Sequence, residues 1–358
     1  MKPKLVHILK CLHCLGELEV SVFEMEREEI KAGVLICKNC ESFYFIDNFI
    51  PRMLPKELYY NADFLEKYKK QINSLGIQPA RENKEDKLKE LKQQTIEKFG
   101  FEWLKYSKFG WDEERYSIER EERIFKYKSL LEEHELRGKI VLDAGCGNGR
   151  YSFWAAKYGA EVFGVDLGMG VEAAYENTKH LPNVHIIQGD IFNLPFKKDF
   201  FDIIFSIGVL MHTGNAKLAT RKLVSHLKKG GTLTVHLYHK GNFIYEINDA
   251  LIRKITTRLP LKTLCVFTEV MFAIAEYLKK ARLLKYVNMF IRLEAGHPHF
   301  IFDWYSAPIA THHTYPEVYQ WFKEFSLEVV KDNNKDSRNP IKRWINPPWS
   351  LTVKGVKK

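Results

Sequence analysis

The sequence predicts a doubly wound α/β protein: a mostly parallel, seven-stranded sheet, a helical insertion late in the chain, and a small cysteine-knuckled module in front. Three observations predict it. From Lys139 onward, short apolar runs alternate with amphipathic segments, as in strand–helix crossovers of a parallel sheet. The first of those runs opens into a loop of alternating glycines, Gly145, Gly147 and Gly149. Two C-x-x-C pairs, Cys11/Cys14 and Cys37/Cys40, stand near the N-terminus.

Taken in order, residues 1–56 are short apolar runs around the cysteines, ending in Ile50-Pro51-Arg52-Met53-Leu54. Residues 57–137 are rich in Lys and Glu with apolar residues at helical spacing (Leu88, Leu91, Ile96, Phe99), so they read as a helical linker and a lid. Residues 138–358 form the α/β domain. Its strands are Ile140–Leu142, Val162–Val165, Val184–Gln188, Phe201–Phe205 and Leu233–Tyr238, with helices after the first, second and fourth, the last closed by Gly230-Gly231. An apolar helical stretch at about 242–293 falls where a sixth strand is due. Thr314-Tyr315-Pro316-Glu317 is a capping box, and Leu327–Val330 and Ser350–Val353 are closing strands.

With 358 residues, 45% hydrophobic and 28% charged, the chain fits an ordinary globular protein. No apolar run reaches the ~20 residues of a membrane span and no secretory signal opens it, so a cytoplasmic protein is expected. The net charge of +10 suits nucleic acid, an acidic substrate or a membrane surface, or nothing beyond lysine-rich solvated helices. Four of the six cysteines sit in the two pairs. In a long chain without a signal peptide these read as metal ligands. Four thiolates close a tetrahedral zinc site with no open position, hence a structural metal.

Val141-Leu142-Asp143-Ala144-Gly145-Cys146-Gly147-Asn148-Gly149 is G-x-G-x-G behind an acid, not the G-x-G-x-x-G of dinucleotide sites, because Arg150 stands where the third glycine is needed. It resembles motif I of class I S-adenosylmethionine-dependent methyltransferases, a Rossmann-like family. The resemblance implies that Asp143 faces the amino-acid end of the cofactor and that Asp166, ending the second strand, takes the ribose hydroxyls. Asp190 then lies at the adenine amino group, with Ile191 on the ring. Gly145, Cys146, Gly147, Leu167, Ser206, Trp103 and Tyr151 complete the implied cofactor set, with Phe101 and Trp103 folded over the cleft. The ribbon, with Phe43–Leu54 behind its second knuckle, resembles the zinc-ribbon activator subunit of tRNA, rRNA and release-factor methyltransferases, although Leu12 stands where that family has proline.

Methyl transfer from S-adenosylmethionine is an in-line displacement that needs a base only if the acceptor must lose a proton. His212, just past the fourth strand, is the expected base, with Asp303 and His313 as further candidates. His297, His299 and His312 near them suggest a substrate wall or a metal. The apolar insertion, with Phe243, Leu251, Val266 and Ile274, suggests a lid that encloses a small-molecule, lipid-like or sugar acceptor, or a face resting on a membrane. The alternatives are an RNA or protein methyltransferase that docks through the ribbon, and a non-catalytic scaffold that binds the cofactor. Asn346-Pro347-Pro348-Trp349 spells an amino-methylation motif, but it lies between the last two strands and reads as a tight turn.

Overall fold

The computed structural model describes residues 1–59, 61–79, 88–111, 117–334 and 349–358. The chain opens as a meander of four strands, β1 (Leu18–Glu26), β2 (Glu29–Cys37), β3 (Ser42–Asp47) and β4 (Ile50–Met53), each antiparallel to the next. Helices α1 (Ala62–Lys67) and α2 (Lys69–Ser74) follow, then the two-residue strand β5 (Gln78–Pro79), which pairs with β3. Three more helices lead to the α/β region: α3 (Lys89–Lys105), α4 (Ile118–Ser129) and α5 (Glu133–Leu136).

There β6 (Ile140–Ala144), α6 (Arg150–Lys157), β7 (Glu161–Asp166), α7 (Gly170–Thr178), β8 (Val184–Gly189), β9 (Phe201–Ile207), α8 (Ala216–His226) and β10 (Leu227–Tyr238) succeed one another. The chain closes with α9 (Phe243–Thr256), α10 (Leu261–Lys280), α11 (Leu284–Val287), α12 (His299–Ser306), α13 (Tyr315–Glu324), β11 (Leu327–Asp332) and β12 (Ser350–Lys357). The strands lie in the order β8-β7-β6-β9-β10-β12-β11. The first five are mutually parallel, and β12 runs antiparallel to both its neighbours. Side chains alternate across the sheet. Leu142, Phe163, Ile187 and Ile204 pack in one core and Val141, Val162, Ile186 and Ile203 in the other. Burial on both faces explains why these strands read as unbroken apolar runs.

Two features depart from the expectation. The sheet does not stop at seven strands: β4 pairs in parallel with β8, Arg52 against Gln188 and Met53 against Gly189, so the N-terminal meander continues the same sheet. An uncovered β8 edge would leave backbone N–H and C=O groups unpaired. Arg52, 1% exposed, fixes the seam by donating to Gln188 Oε1 at 3.1 Å and to the Asp47 carbonyl at 3.1 Å, and by pairing with Glu172. Phe49 stacks on Tyr175 at 5.2 Å. The fifth strand of the α/β region also begins earlier than its apolar run: Gly230-Gly231 sits inside β10, at a register break between Leu227 and Thr232. Glycines that looked like a helix stop serve instead as a bulge.

Among the described residues no helix is long and apolar enough to cross a membrane. Residues 346–348 of the N-P-P-W stretch lie outside the described residues.

Candidate cofactor cleft and metal site

The parallel strands end at one crevice, the usual place for a ligand in such a sheet. At its floor is the glycine loop. Gly145 (φ 93°) and Gly147 (φ 52°) both hold left-handed backbone that favours glycine. Space demands glycine too: a Cβ on Gly145 would come within 2.3 Å of Val209, and one on Gly147 within 2.8 Å of the Trp103 ring. The cleft holds about 960 Å³ of empty space, its open mouth included.

Gly145, Cys146, Gly147, Tyr151, Asp166, Leu167, Asp190, Ile191 and Trp103 all line it. Asp166 accepts the Gly147 and Gly168 N–H groups, both at 2.9 Å, while burial pushes its carboxyl upward. Asp190 accepts the Phe192 N–H at 2.9 Å, and its other oxygen meets Lys92 Nζ at 2.6 Å. Asp143 and Ser206 are set back from the wall. Asp143 is fully buried, accepts from Ser152 Oγ at 2.7 Å, and is pushed up to about 7 by burial. Ser206 Oγ donates to the Ala144 carbonyl at 2.7 Å and ties β9 to β6.

The roof is α3. Lys92, Thr95, Phe99 and Trp103 all reach the cleft, on one face at spacings of three and four. Sequence reasoning named only Trp103. The spacing held the signal for the rest, but a lysine and a threonine on a charged helix did not look like a ligand wall. Phe101 turns away and packs on Phe302 of α12, ring centroids 5.8 Å apart. Arg150, Phe192 and Val209 also line the cleft and were missed.

Of the proposed reactive groups, His212 and Asp303 line the cleft and His313 does not. His212 Nδ1 lies 2.7 Å from the Ile309 carbonyl. A carbonyl only accepts, so Nδ1 carries the hydrogen and Nε2 keeps its lone pair. Nε2 is buried without a partner, and burial lowers the ring to about 3, so it is neutral. Asp303 accepts from Tyr238 Oη at 3.0 Å, and burial raises its carboxyl. His313 instead bonds the Glu317 side chain in the first turn of α13 at 3.0 Å and Thr311 at 2.8 Å. Among the described residues the four cysteines alone form a His/Cys/Asp/Glu group able to hold a metal. Among the described residues no histidine belongs to such a group.

The cysteines fit zinc closely. Their ligand atoms all lie within 4.8 Å of one another, with Cys11–Cys40, Cys14–Cys37 and Cys14–Cys40 sulfurs at 3.5, 3.4 and 3.8 Å. Tetrahedral Zn–S bonds of about 2.3 Å require sulfurs about 3.8 Å apart. Tyr44 Oη, 3.3 Å from Cys11 Sγ, also accepts the Leu12 N–H at 2.9 Å and orients the first knuckle.

Comparison with known proteins agrees with this anatomy. Residues 135–289 match the family described as Methyltransferase domain, and residues 2–48 match the family described as Trm112p-like protein. A tRNA U34 carboxymethyltransferase of Desulfotalea psychrophila is 32% identical over 139 residues, 37% of this chain and 42% of that protein. Its namesake from Pseudomonas aeruginosa is 38% identical over 116 residues, 31% of this chain and 36% of that protein. The chain thus spans about two fifths of these relatives' length. A solved complex of the Haloferax volcanii Trm112 methyltransferase activator with a putative methyltransferase is similar at 15% identity and TM-score 0.41, over 72% of this chain and 96% of that one.

The relatives are named for a tRNA nucleotide, and with the Trm112p-like match this overturns the small-molecule, lipid-like or sugar acceptor expected from the lid. The structure supplies the physical reason the lid misled. Phe243, Ile247, Leu251 and Ile255 of α9 and Val266, Val270, Ile274 and Tyr277 of α10 are exposed, and no residue of α9, α10 or α11 lines the cleft. The lid's apolar stripe therefore lies outside this cleft. From the glycine loop, the cleft around it, the cysteine cluster and the two family matches together, the chain carries an S-adenosylmethionine-dependent methyltransferase domain behind an N-terminal, zinc-ribbon Trm112p-like domain.

Proposed function

We propose that this chain transfers a methyl group from S-adenosylmethionine to a nucleotide of tRNA. The observation that carries the reading is the β4–β8 seam, which builds the Trm112p-like part into the same sheet whose strand ends wall the cleft. The relatives' names and a net charge of +10, suited to a polyanionic acceptor, support it. On this reading the chain divides into the ribbon (1–56), a helical linker and roof (57–137) and the methyltransferase domain (138–358), and works in the cytoplasm.

Asp166 takes the ribose hydroxyls of the cofactor, and Asp190 its adenine amino group with Ile191 on the ring. When bound, the cofactor supplies an activated methyl group on a sulfonium. The chain's own work is to hold the acceptor in line, to exclude water beneath α3, and to accept a proton if the acceptor is a hydroxyl. His212 is our choice for that last role, its Nε2 lone pair unspent at the wall. Asp303 holds the acceptor opposite.

Labelled S-adenosylmethionine with total tRNA, followed by nucleoside mass spectrometry, tests this. We expect label in tRNA, absent with Asp166→Ala, with the mass of one methyl group added to the modified nucleoside. Cofactor binding with label only in protein, or in no RNA, would sink the reading.

A further inference from the structure

The helical insertion, α9 to α11, lies outside the cleft, and its charge is one-sided. Residues 242–293 hold nine Lys and Arg against four Asp and Glu. The four carboxylates are engaged away from the insertion's exposed cations. Glu246 bonds His312 at 2.7 Å, Asp249 accepts from Trp304 Nε1 at 2.7 Å, Glu269 meets Lys105 Nζ at 3.2 Å, and Glu276 accepts the Gly296 N–H at 2.6 Å. Of the nine cations, Arg253 is buried and Arg292 pairs with Glu294. The other seven are exposed and, among the described residues, have no carboxylate at ion-pair distance. Lys254, Arg258 and Lys262 gather at the corner where α9 gives way to α10 around Pro260, and the remaining four lie between residues 279 and 285, past the far end of a 20-residue helix about 30 Å long.

Ordinary helix ends account for only part of this. Lys254, Lys279 and Lys280 stand in last turns, where the helix dipole favours a cation. Lys262 stands in the first turn of α10, where the same dipole disfavours one, and no acid in that turn offsets it. Lys98 of α3 adds a further cation at this corner by donating to the Leu259 carbonyl at 3.2 Å, so the corner abuts the helix that roofs the cleft. Like charges gathered without counter-charge repel one another, and a polyanion relieves the repulsion. Phe243, Tyr277, Tyr286 and Phe290 are exposed on the same insertion and present ring faces on which unpaired bases can stack.

We infer that the insertion is an RNA-docking element whose Lys254, Arg258 and Lys262 corner grips the phosphate backbone of the acceptor, outside the reacting nucleotide and beside the roof of the cleft. This rests on the reading of the acceptor as tRNA, and it names the surface that holds the rest of that molecule. Phosphate contacts fix register and orientation without reading sequence. The insertion thus works as a grip on a large substrate, where the sequence suggested a lid over a small one.

The test is fluorescence anisotropy of labelled total tRNA over a salt series, with full-length wild type and the triple variant Lys254→Gln, Arg258→Gln, Lys262→Gln. Each phosphate contact contributes about 0.7–0.9 to the slope of log affinity against log salt. The triple variant should lose about 2–3 of that slope and bind about 100-fold more weakly at about 0.1 M salt. In the labelled-methyl assay its KM for tRNA should rise while kcat holds. S-adenosylmethionine should bind within about twofold of wild type, because none of the three residues lines the cleft. A triple variant that binds tRNA with the wild-type slope overturns the inference. So does an equal loss from Lys67→Gln, Lys69→Gln, Lys70→Gln on α1 and α2, which would make the effect one of bulk charge. Unchanged tRNA binding with lost binding to phosphatidylserine vesicles would make the surface a membrane contact, and overturns it too. A wild type that binds S-adenosylmethionine but neither binds nor labels tRNA overturns the tRNA reading itself, and the docking surface with it.

Discussion

Replacing Arg52 by Met tests whether the ribbon and the catalytic sheet are one cooperative structure. The side chain is 1% exposed and makes two contacts across the seam, to Gln188 and to Glu172, and one within the meander, to the Asp47 carbonyl. A hydrogen bond to a charged group contributes about 1.5–3 kcal/mol. Glu172 is about a quarter exposed (26%) and can rehydrate, so its share is discounted. Met keeps most of the buried volume, so the cavity penalty stays small. The expected cost is about 3–5 kcal/mol, the usual range for breaking a buried pair. With an unfolding entropy of about 2.1 cal/mol/K per residue over 358 residues, each kcal/mol moves a single transition by about 1.3 °C. Calorimetry should therefore show one transition lowered by about 4–7 °C. Because Gln188 also donates to the Leu167 carbonyl at 3.0 Å, and Leu167 lines the cleft, cofactor affinity should fall as well. Two separate transitions in the wild type, or a shift under about 1 °C in the variant, would refute the reasoning. The first would mean that the β4–β8 pairing does not couple the two parts.

Zinc removal by a chelator should abolish S-adenosylmethionine binding along with the metal, because β4 covers the β8 edge that leads into Asp190; an unchanged affinity in the metal-free protein argues that the ribbon is independent. Gly147→Ala adds a Cβ 2.8 Å from the Trp103 ring at φ 52° and should cost about 1–2 kcal/mol as well as affinity. Combining it with Trp103→Ala should recover part of that, and a strictly additive double mutant contradicts the contact. His212 is lowered from 6.5 to about 3, so between those values the unfolded chain binds a proton that the folded chain refuses. Stability from this residue is thus full above about pH 6.5 and lost as the pH falls. Urea melts from pH 7 to 4.5 should show a shallower decline for His212→Gln, and identical slopes would place the ring in solvent.

The legible parts of this protein were those written locally. The glycine loop needs its glycines where a strand turns into a helix, and the two cysteine knuckles need their spacing to close on one metal. Asp166 and Asp190 follow from where strands end. Asp143 shows that motif position gives no direction: one of its oxygens accepts from Ser152 and the other is buried without a partner. Its side chain points into the sheet toward Ser152, nine residues on, and only the packing of α6 on β6 decides that. Trp103 and Phe101 sit two apart and were read as a pair. On a helix they face different ways, and α3 had first to be recognised as continuous from Lys89.

The hardest element to read was the short strand Ile50–Met53. It has no alternation and contains a proline, and its pairing partner lies 136 residues away, from Arg52 to Gln188. Nothing local announces a strand that completes another unit's edge. Yet that strand decides what the cysteines are for. A ribbon tethered by a flexible linker would add binding surface alone. A ribbon whose last strand is hydrogen-bonded to β8 shares its folding free energy with the cleft, because whatever orders β4 also orders the edge from which Asp190 projects. That is why removing the metal is expected to weaken cofactor binding although no cysteine of the cluster lies on the cleft wall.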